Sequence, residues 1–444
     1  MRKLYNSFIL GISINLMEWF LYHLLFMGHQ LLLFRNTDHF LYGQAGATFA
    51  LLYATIAFSS LGLDSSLAPF FMIAKQSRQR FRQIIGAQLA SQVALFTLGA
   101  LITLFFFPPF NGIYLALIFV SSTIIEGCRK LMRVLLHLTF MHNVRITIEL
   151  LTLMSYISMV WGYYFIMRTP LSLCSIFLPF LISSLVSSGI IGLYLHRWYR
   201  SLPQTITMPL SPNLFMRIIK MRLFTSFYAI GHQLFSGNIL IPYIAFHSGF
   251  AQAGIWQLIY TIVNTIANLM NKISGFTSQA LLAHVKNKTN LVKKKTFAII
   301  TNTLNQLVYA IIIFIVINYK KLLLPTPSPF EQQWLIPSAI FIGITIIEQW
   351  SLAYEKFYLN EERTGRLVLF NAFLITSCFL LMKENYSLII FLSALLGLRI
   401  ISFIFIAALS YYYWGIRSDW KIQPRFFLLA LIVSLFFYYF YPLC

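Results

Sequence analysis

The sequence predicts an all-α polytopic membrane protein, and its composition and its apolar runs carry that prediction. Of 444 residues, 59% are hydrophobic and only 10% are charged, and the mean hydropathy is +0.75. A water-soluble domain of this length could not cover such a composition with polar surface. Apolar runs recur from Phe8 to Phe440, and each is long enough to cross a hydrocarbon core about 30 Å thick. A soluble enzyme is therefore excluded.

About 13 spans are predicted from hydropathy over windows of about 19 residues. A helix satisfies its own backbone hydrogen bonds in lipid, so we predict helices throughout and tolerate glycine and proline within them. The first run is taken as a span rather than a signal peptide, because no cleavage site follows the basic Arg2 and Lys3. The predicted spans are 7–33, 44–72, 84–107, 112–136, 147–167, 171–195, 224–246, 252–281, 297–319, 334–358, 367–382, 387–413 and 426–442.

The basic residues fall mainly on one side of these spans. Of 33 lysines and arginines, 26 lie in loops on one side, 5 lie in loops on the other side, and Lys272 and Arg399 lie within spans. Short cytoplasmic loops carry such an excess of basic residues, so the N-terminus is predicted to be cytoplasmic. The net charge of +21 is thereby explained by topology, and no nucleic-acid partner is expected.

Two short segments occur twice and predict an internal duplication. Residues 42–46, Tyr-Gly-Gln-Ala-Gly, resemble residues 250–254, Phe-Ala-Gln-Ala-Gly, and Thr-Ile-Ile-Glu occurs at both 123–126 and 345–348. The offsets of 208 and 222 residues both map a span onto the span six places later. Because six is even, the two halves have the same topology, and a substrate site is expected between them near the midplane.

The predicted fold is therefore two six-helix lobes in parallel repeat around a central cleft, plus one C-terminal helix. The corresponding domains are an N-terminal lobe at 1–200, a cytoplasmic linker at 201–222, a C-terminal lobe at 223–413 and an extra transmembrane helix at 414–444.

Several segments resemble exporters of the MOP superfamily, which comprises multidrug, oligosaccharidyl-lipid and polysaccharide exporters. Tyr42-Gly43 opens the second span, and the Gly-Leu-Asp-Ser-Ser-Leu-Ala-Pro-Phe-Phe segment at 62–71 closes it, as at the start of polysaccharide flippases. Residues 253–256, Ala-Gly-Ile-Trp, are similar to the corresponding stretch of their second half. The motif expected of major facilitator proteins is absent from residues 75–80, and the thirteenth span departs from the twelve-helix plan of polysaccharide flippases.

The resemblance implies a transporter, not an enzyme, that flips or exports a lipid-linked oligosaccharide or polysaccharide precursor by alternating access. It implies a lipid-linked sugar substrate, membrane lipids as partners, a coupling ion that is H⁺ or Na⁺, and a monomer in the bacterial cytoplasmic (inner) membrane. Two alternatives stay open. A MOP-type cation-coupled multidrug antiporter would need a net acidic cleft, and a membrane glycan polymerase or ligase would need a sizeable external loop with catalytic residues.

Ionisable residues inside spans are costly and normally face a cavity or a partner. We expect the basic ones to bind a pyrophosphate, because arginine donates to phosphate through two bonds and lysine acts as a point charge. The carboxylates are expected to line the cleft, where they can take up protons or pair with cations. The cleft candidates are Arg399, Lys272, Glu18, Asp64, Glu126 and Glu348, and His23 also lies within a span.

These residues also have a structural interpretation. Glu126 can instead pair with Arg129, Lys130 or Arg133, and Glu348 can pair with Lys356 or with Arg399. Asp64 can cap a turn after Gly62, and the two bases can snorkel toward an interface. The four cysteines are far apart and no nucleophile, metal-ligand or nucleotide motif is present, so no catalytic residue, metal or cofactor is predicted.

Overall fold

The computed structural model describes most of the helical core of the chain. The described residues are 20–62, 73–106, 112–139, 141–168, 170–204, 237–265, 331–360, 364–383 and 387–415, with single positions and short stretches between 71 and 435. No strand occurs among them, and each predicted span that falls on them is helical. The predicted all-α, multi-pass class is therefore confirmed.

The described helices follow the predicted spans closely. They are α1 at 20–36, α2 at His39–Ser59, α3 at Ala87–Phe106, α4 at Ile113–Leu138, α5 at His142–Met167, α6 at Leu173–Ser201, α7 at Gly237–Ser248, α8 at 250–265, α9 at Glu331–Asn360, α10 at Thr364–Lys383 and α11 at Leu388–Trp414. A short helix at Arg78–Phe81 and a π-helical turn at Arg82–Gly86 lead into α3.

The described helices differ in whether a long apolar stretch runs through them without charged residues. Five helical segments are long and apolar enough to span a membrane, namely His39–Ser59, Arg78–Phe106, Asn143–Met167, Leu173–Ser201 and Leu388–Tyr412. Helix α4 has 26 residues, about 39 Å at 1.5 Å per residue, but carries Glu126 and the bases that follow it. Helix α9 has a shorter apolar part, Ile336–Glu348. The two helices that contain the repeated Thr-Ile-Ile-Glu segment are thus the ones interrupted by charge.

The described chain divides into two units, Leu21–Leu258 and the residues from Ile259 onward together with Phe20. We call them the N-terminal unit and the C-terminal unit. The boundary falls within α8, whereas the sequence predicts lobes that end at 200 and begin at 223. The predicted lobe boundaries and the parallel repeat stay predictions.

Helix α2 is the centre of the N-terminal unit, where it packs against α3, α4, α6 and α7. All of its alanines and glycines are buried, and Leu52 and Ile56 are fully enclosed. Small residues let helix backbones approach closely, which is how helices associate where lipid removes the hydrophobic driving force. The helix begins at the N-cap Asp38, whose carboxylate accepts a 2.6 Å bond from the Leu41 amide.

A glycine contact joins α2 to the start of α8 within the N-terminal unit. A Cβ on Gly43 would overlap the carbonyl oxygen of Phe250 and lie 2.6 Å from the amide nitrogen of Gly254. A Cβ on Gly254 would lie 2.5 Å from the carbonyl oxygen of His39. Only glycine fits at these two positions. The two matching segments at 42–46 and 250–254 therefore contact one another.

Arg78 ties the segment before α3 to the C-terminal end of α6. Its backbone amide donates to the carbonyl of Pro203 at 3.0 Å, and its Nε donates to the carbonyl of Leu202 at 3.0 Å. Its Nη2 donates to the carbonyl of Arg200. The last carbonyls of a helix carry partial negative charge, so a guanidinium stabilises this end.

In the C-terminal unit, α9 and α10 both pack along α11. The core is apolar and aromatic, with Phe391 and Leu392 from α11 enclosed and Phe341 from α9 also buried. Trp350 of α9 lies 6.1 Å from the ring of Phe403 of α11, measured between centroids. This packing brings the charged residues of α9 and α11 into reach of each other.

Candidate charged site

The charges of α4 lie on one face of that helix. Glu126, Arg129 and Arg133 are spaced by three and four residues, which places them one above the other along the helix. Helix α4 packs against α5 and α6, which supply Glu149 and Ser184 to the same place. We call these five residues the α4 ion cluster.

Glu126 is the central group of the α4 ion cluster. Its side chain is 2% exposed, and its carboxylate accepts four hydrogen bonds. Arg129 donates from Nε at 2.7 Å and from Nη2 at 2.9 Å, which is a bidentate guanidinium-carboxylate pair. Arg133 Nη2 donates at 3.2 Å and the Ser184 hydroxyl donates at 3.1 Å. The carboxylate is thus satisfied on both oxygens.

Glu149 completes the charge balance from α5. Both of its carboxylate oxygens accept from Arg133 Nη1 at 3.0 Å, and Arg129 Nη1 lies 3.6 Å away. Two carboxylates and two guanidiniums give the cluster no net charge. A buried charge is costly unless it is paired, so this arrangement allows four ionised groups to stay in the interior.

In the C-terminal unit, the glutamate of the second Thr-Ile-Ile-Glu segment is also paired with an arginine. Arg399 Nη2 of α11 lies 3.4 Å from Glu348 Oε1 of α9. Arg399 is 3% exposed as a residue, so its guanidinium does not snorkel out of the helix packing. The sequence left Lys356 and Arg399 open as partners of Glu348, and the side chain of Lys356 lies outside the described residues. The ion pair with Arg399 forms because α9 lies along α11 over much of its length.

The structure places three of the six cleft candidates. Glu126, Glu348 and Arg399 lie in ion pairs, and His23 is half-buried in α1. Glu18, Asp64 and Lys272 lie outside the described residues. Among the residues that are described, no group of three or more histidine, cysteine, aspartate or glutamate side chains is placed to hold a metal ion.

Sequence reasoning found Glu126 and its pairing with Arg129 or Arg133, but missed Glu149 and Ser184. Both approach from neighbouring helices, Glu149 being 16 residues after Arg133 and Ser184 being 58 residues after Glu126. A carboxylate near the start of the predicted fifth span is the only sequence signal that pointed to Glu149.

No protein-family model and no curated protein matches the sequence. Solved structures do match in fold. An outward-facing multidrug resistance MATE family transporter of the MOP superfamily superposes with a TM-score of 0.66 at 11% identity, over 92% of this chain and 95% of that chain. The chain has the MATE fold.

Two further MATE structures support that assignment. The MATE multidrug transporter DinF-BH, solved with a bound ligand, gives a TM-score of 0.60 at 12% identity, over 92% of this chain and 95% of its own. The eukaryotic MATE transporter AtDTX14 gives a TM-score of 0.59 at 12% identity, over 96% of this chain and 98% of its own. The MOP-type fold expected from the sequence is confirmed, whereas the polysaccharide flippase type stays a prediction.

Proposed function

We propose that the chain is a cation-coupled antiporter of the MOP superfamily that exports small organic molecules by alternating access. The observation that carries the proposal is the match to a multidrug resistance MATE transporter over more than nine-tenths of both chains. The MATE fold also favours a transporter over the membrane polymerase or ligase considered from the sequence. The multidrug antiporter was the sequence-based alternative, and it now takes precedence over export of lipid-linked sugars.

Flipping of a lipid-linked oligosaccharide stays a second candidate because of the charge balance. An antiporter for organic cations needs uncompensated carboxylates, yet Glu126 is bound by Arg129 and Arg133, and Glu348 is bound by Arg399. Arginine suits the pyrophosphate of a lipid-linked sugar, and Arg399, together with Lys272, was predicted for that role. This candidate needs the ion pair of Arg399 to open when substrate binds.

Transport into proteoliposomes distinguishes the two candidates. Purified protein is reconstituted with an imposed pH or Na⁺ gradient, and uptake of the fluorescent cation ethidium is compared with flipping of a fluorescent lipid-linked disaccharide. We expect gradient-driven ethidium accumulation that disappears when an ionophore collapses the gradient. Flipping of the lipid without ethidium accumulation would favour the second candidate. If the protein shows neither activity, the proposal is overturned.

Arg399 variants test whether that residue touches the substrate or only Glu348. If Arg399 binds phosphate through two bonds, Arg399→Lys restores lipid flipping only in part. If it only pairs with Glu348, the charge swap Glu348→Arg with Arg399→Glu restores transport of whichever substrate is carried. Both outcomes are read against Arg399→Ala at matched protein amounts.

We also propose that the chain lies in the bacterial cytoplasmic membrane with a cytoplasmic N-terminus. The excess of basic residues on one side of the spans supports this orientation. A cysteine at Ser328, in a background without accessible native cysteines, is expected to react with an impermeant thiol reagent outside intact cells. A cysteine at Lys288 is the matched control, and labelling there instead would invert the topology.

A further inference from the structure

A buried histidine joins α1 to α5 in the N-terminal unit, away from the α4 ion cluster. His29 of α1 is 2% exposed. The indole Nε1 of Trp161 donates a 3.1 Å hydrogen bond to its Nδ1, and the ring of Tyr156 stands nearly perpendicular to it at 5.0 Å between centroids. Both partners come from α5. No other function assigned to the chain so far uses this histidine.

The direction of the bond fixes the protonation state of the ring. An indole N–H only donates, so Nδ1 must present its lone pair, and a neutral histidine then carries its proton on Nε2. Within the described part of the chain, neither Nε2 of His29 nor the hydroxyl of Tyr156 has a hydrogen-bond partner. Two adjacent, buried polar groups are thus left able to exchange hydrogen bonds with a water or with a proton carrier.

A second proton on His29 is incompatible with the observed contact. The proton would bind the Nδ1 lone pair, and the imidazolium would then carry two N–H donors. Its Nδ1–H would face the indole N–H of Trp161 at hydrogen-bond distance, so the bond must break and the two rings must separate. Proton uptake therefore removes the hydrogen bond that joins α1 to α5 at this point.

A neighbouring contact of α1 does not depend on that proton. Gln30 accepts a 2.9 Å hydrogen bond from the hydroxyl of Tyr42, which belongs to α2. Protonation of His29 thus removes the polar tie to α5 and leaves the polar tie to α2 intact. Before proton uptake α1 is hydrogen-bonded to both α5 and α2, and after it only the bond to α2 is left.

The surroundings of His29 contain no compensating charge among the described residues. Its described hydrogen-bond and ring partners are Trp161 and Tyr156, both uncharged. On the same helices, Arg35 lies six residues after His29, Glu149 seven before Tyr156 and Arg168 seven after Trp161, which is about 9 to 10.5 Å along each helix axis. The described helices of this unit carry further ionisable groups. They include Tyr22, His23 and Arg35 of α1; Asp38, His39, Tyr42 and Tyr53 at or in α2; Glu126, Cys128, Arg129, Lys130 and Arg133 of α4; Arg145, Glu149, Tyr156, Tyr163, Tyr164 and Arg168 of or next to α5; and Cys174, Tyr194, His196, Arg197, Tyr199 and Arg200 of α6.

We propose that His29 is the proton-binding residue that couples H⁺ to transport, with Trp161 as the group that protonation displaces. The inference rests on the proposed antiport, and it selects H⁺ over Na⁺ as the coupling ion. One proton enters from one aqueous side, occupies Nδ1 and leaves to the other side, so the cycle makes and breaks no other covalent bond. With the neutral ring, α1 is hydrogen-bonded to α5. With the imidazolium, that bond is broken and α1 is released from it.

Proton binding is tested without transport, by ¹⁵N NMR of histidine-labelled protein in lipid nanodiscs. We expect one neutral histidine with a bare Nδ1 and a protonated Nε2, which becomes doubly protonated on acidification and is missing in His29→Gln. In Trp161→Phe the donor to Nδ1 is gone, so half-protonation moves to higher pH. A His29 signal with Nδ1–H in its neutral form, or one that does not titrate between about pH 4 and 8, overturns the proposal.

Coupling is tested in proteoliposomes that carry ethidium. His29→Gln is expected to lose pH-gradient-driven accumulation while it keeps counterflow, the exchange of labelled for unlabelled substrate that needs no proton. Counterflow shows that the variant is folded. His196→Gln, which changes an exposed histidine of α6, is the matched control and keeps both activities.

The outcomes separate this inference from the proposed function. Accumulation by His29→Gln at the wild-type level overturns the role of His29 and leaves antiport standing. Wild-type accumulation that is driven by a Na⁺ gradient but not by a pH gradient also overturns the role of His29 and leaves antiport standing. If neither gradient drives ethidium in the wild type, the proposed function fails, and the coupling role of His29 fails with it.

Discussion

Neutralising Glu126 removes the central acceptor of the α4 ion cluster. In Glu126→Gln, one oxygen still accepts, but the amide NH₂ turns two donors toward the guanidinium groups that donated to the carboxylate. Arg129, whose side chain is 6% exposed, loses its bidentate partner. Arg133 keeps only Glu149. The cluster then carries one uncompensated positive charge next to Arg129, whose side chain is almost fully buried, while Arg133 is 27% exposed.

The size of the effect follows from those contacts. Hydrogen bonds to charged groups contribute about 1.5–3 kcal/mol each, and Glu126 receives three from guanidinium groups. Removing one partner of a buried ion pair costs about 3–5 kcal/mol, because the other charge is left uncompensated. Neutral hydrogen bonds between membrane helices contribute only about 0.6 kcal/mol on average. The uncompensated charge therefore dominates, and we expect a loss of about 3–5 kcal/mol in the free energy of unfolding.

The assay is reversible unfolding in mixed micelles, followed by helical circular dichroism as SDS is added. The double variant Glu126→Gln with Arg129→Gln restores a neutral cluster, since Arg133 and Glu149 still balance. We expect it to recover most of the loss, so the two substitutions are strongly non-additive. Arg197→Gln removes an exposed base from α6 and serves as the matched control without a change in midpoint.

Two results would refute this reasoning. A Glu126→Gln protein that unfolds within about 1 kcal/mol of the wild type would show that the arginines find other partners or water. A double variant that is less stable than either single variant would show that packing, not charge, governs the site.

Two further predictions concern other helix contacts. Gly43→Ala places a Cβ against the carbonyl of Phe250 and is expected to cost about 1–3 kcal/mol in the free energy of unfolding. The control is Gly162→Ala, which has open space around the new Cβ and should gain about 0.5–1 kcal/mol from helix propensity. Equal effects of the two substitutions in the same SDS titration would contradict the close approach of α2 and α8. Arg399→Ala is expected to cost about 1–3 kcal/mol, because it leaves Glu348 in the helix packing without its guanidinium partner, and stability restored by adding Glu348→Gln would identify that cause.

The sequence predicted the helices well because each span leaves a local signal of about 20 apolar residues. It also predicted the partners of Glu126 on α4, since residues three and seven positions apart share a helix face. It left both Lys356 and Arg399 open as partners of Glu348, because 51 residues separate Arg399 from Glu348 and only the packing of α9 along α11 joins them.

His29 escaped notice for a different reason. A histidine in an apolar run is indistinguishable in sequence from any polar residue satisfied inside a core. What distinguishes His29 is the direction of the Trp161 bond and the adjacent Tyr156 hydroxyl, and these come from α5, more than 120 residues away. The spacing of residues in the sequence does not predict such a contact between distant helices.

The glycine crossing between α2 and α8 constrains how these helices can move. Gly43 and Gly254 meet through backbone atoms alone, and their Cα hydrogens point toward the carbonyls of Phe250 and His39. Side chains that interdigitate can change rotamer and so hold two helices at a range of spacings, but a backbone surface has no rotamers. The crossing therefore has no stable intermediate spacing. Any motion that parts α2 from α8 is a single step between touching and separated helices.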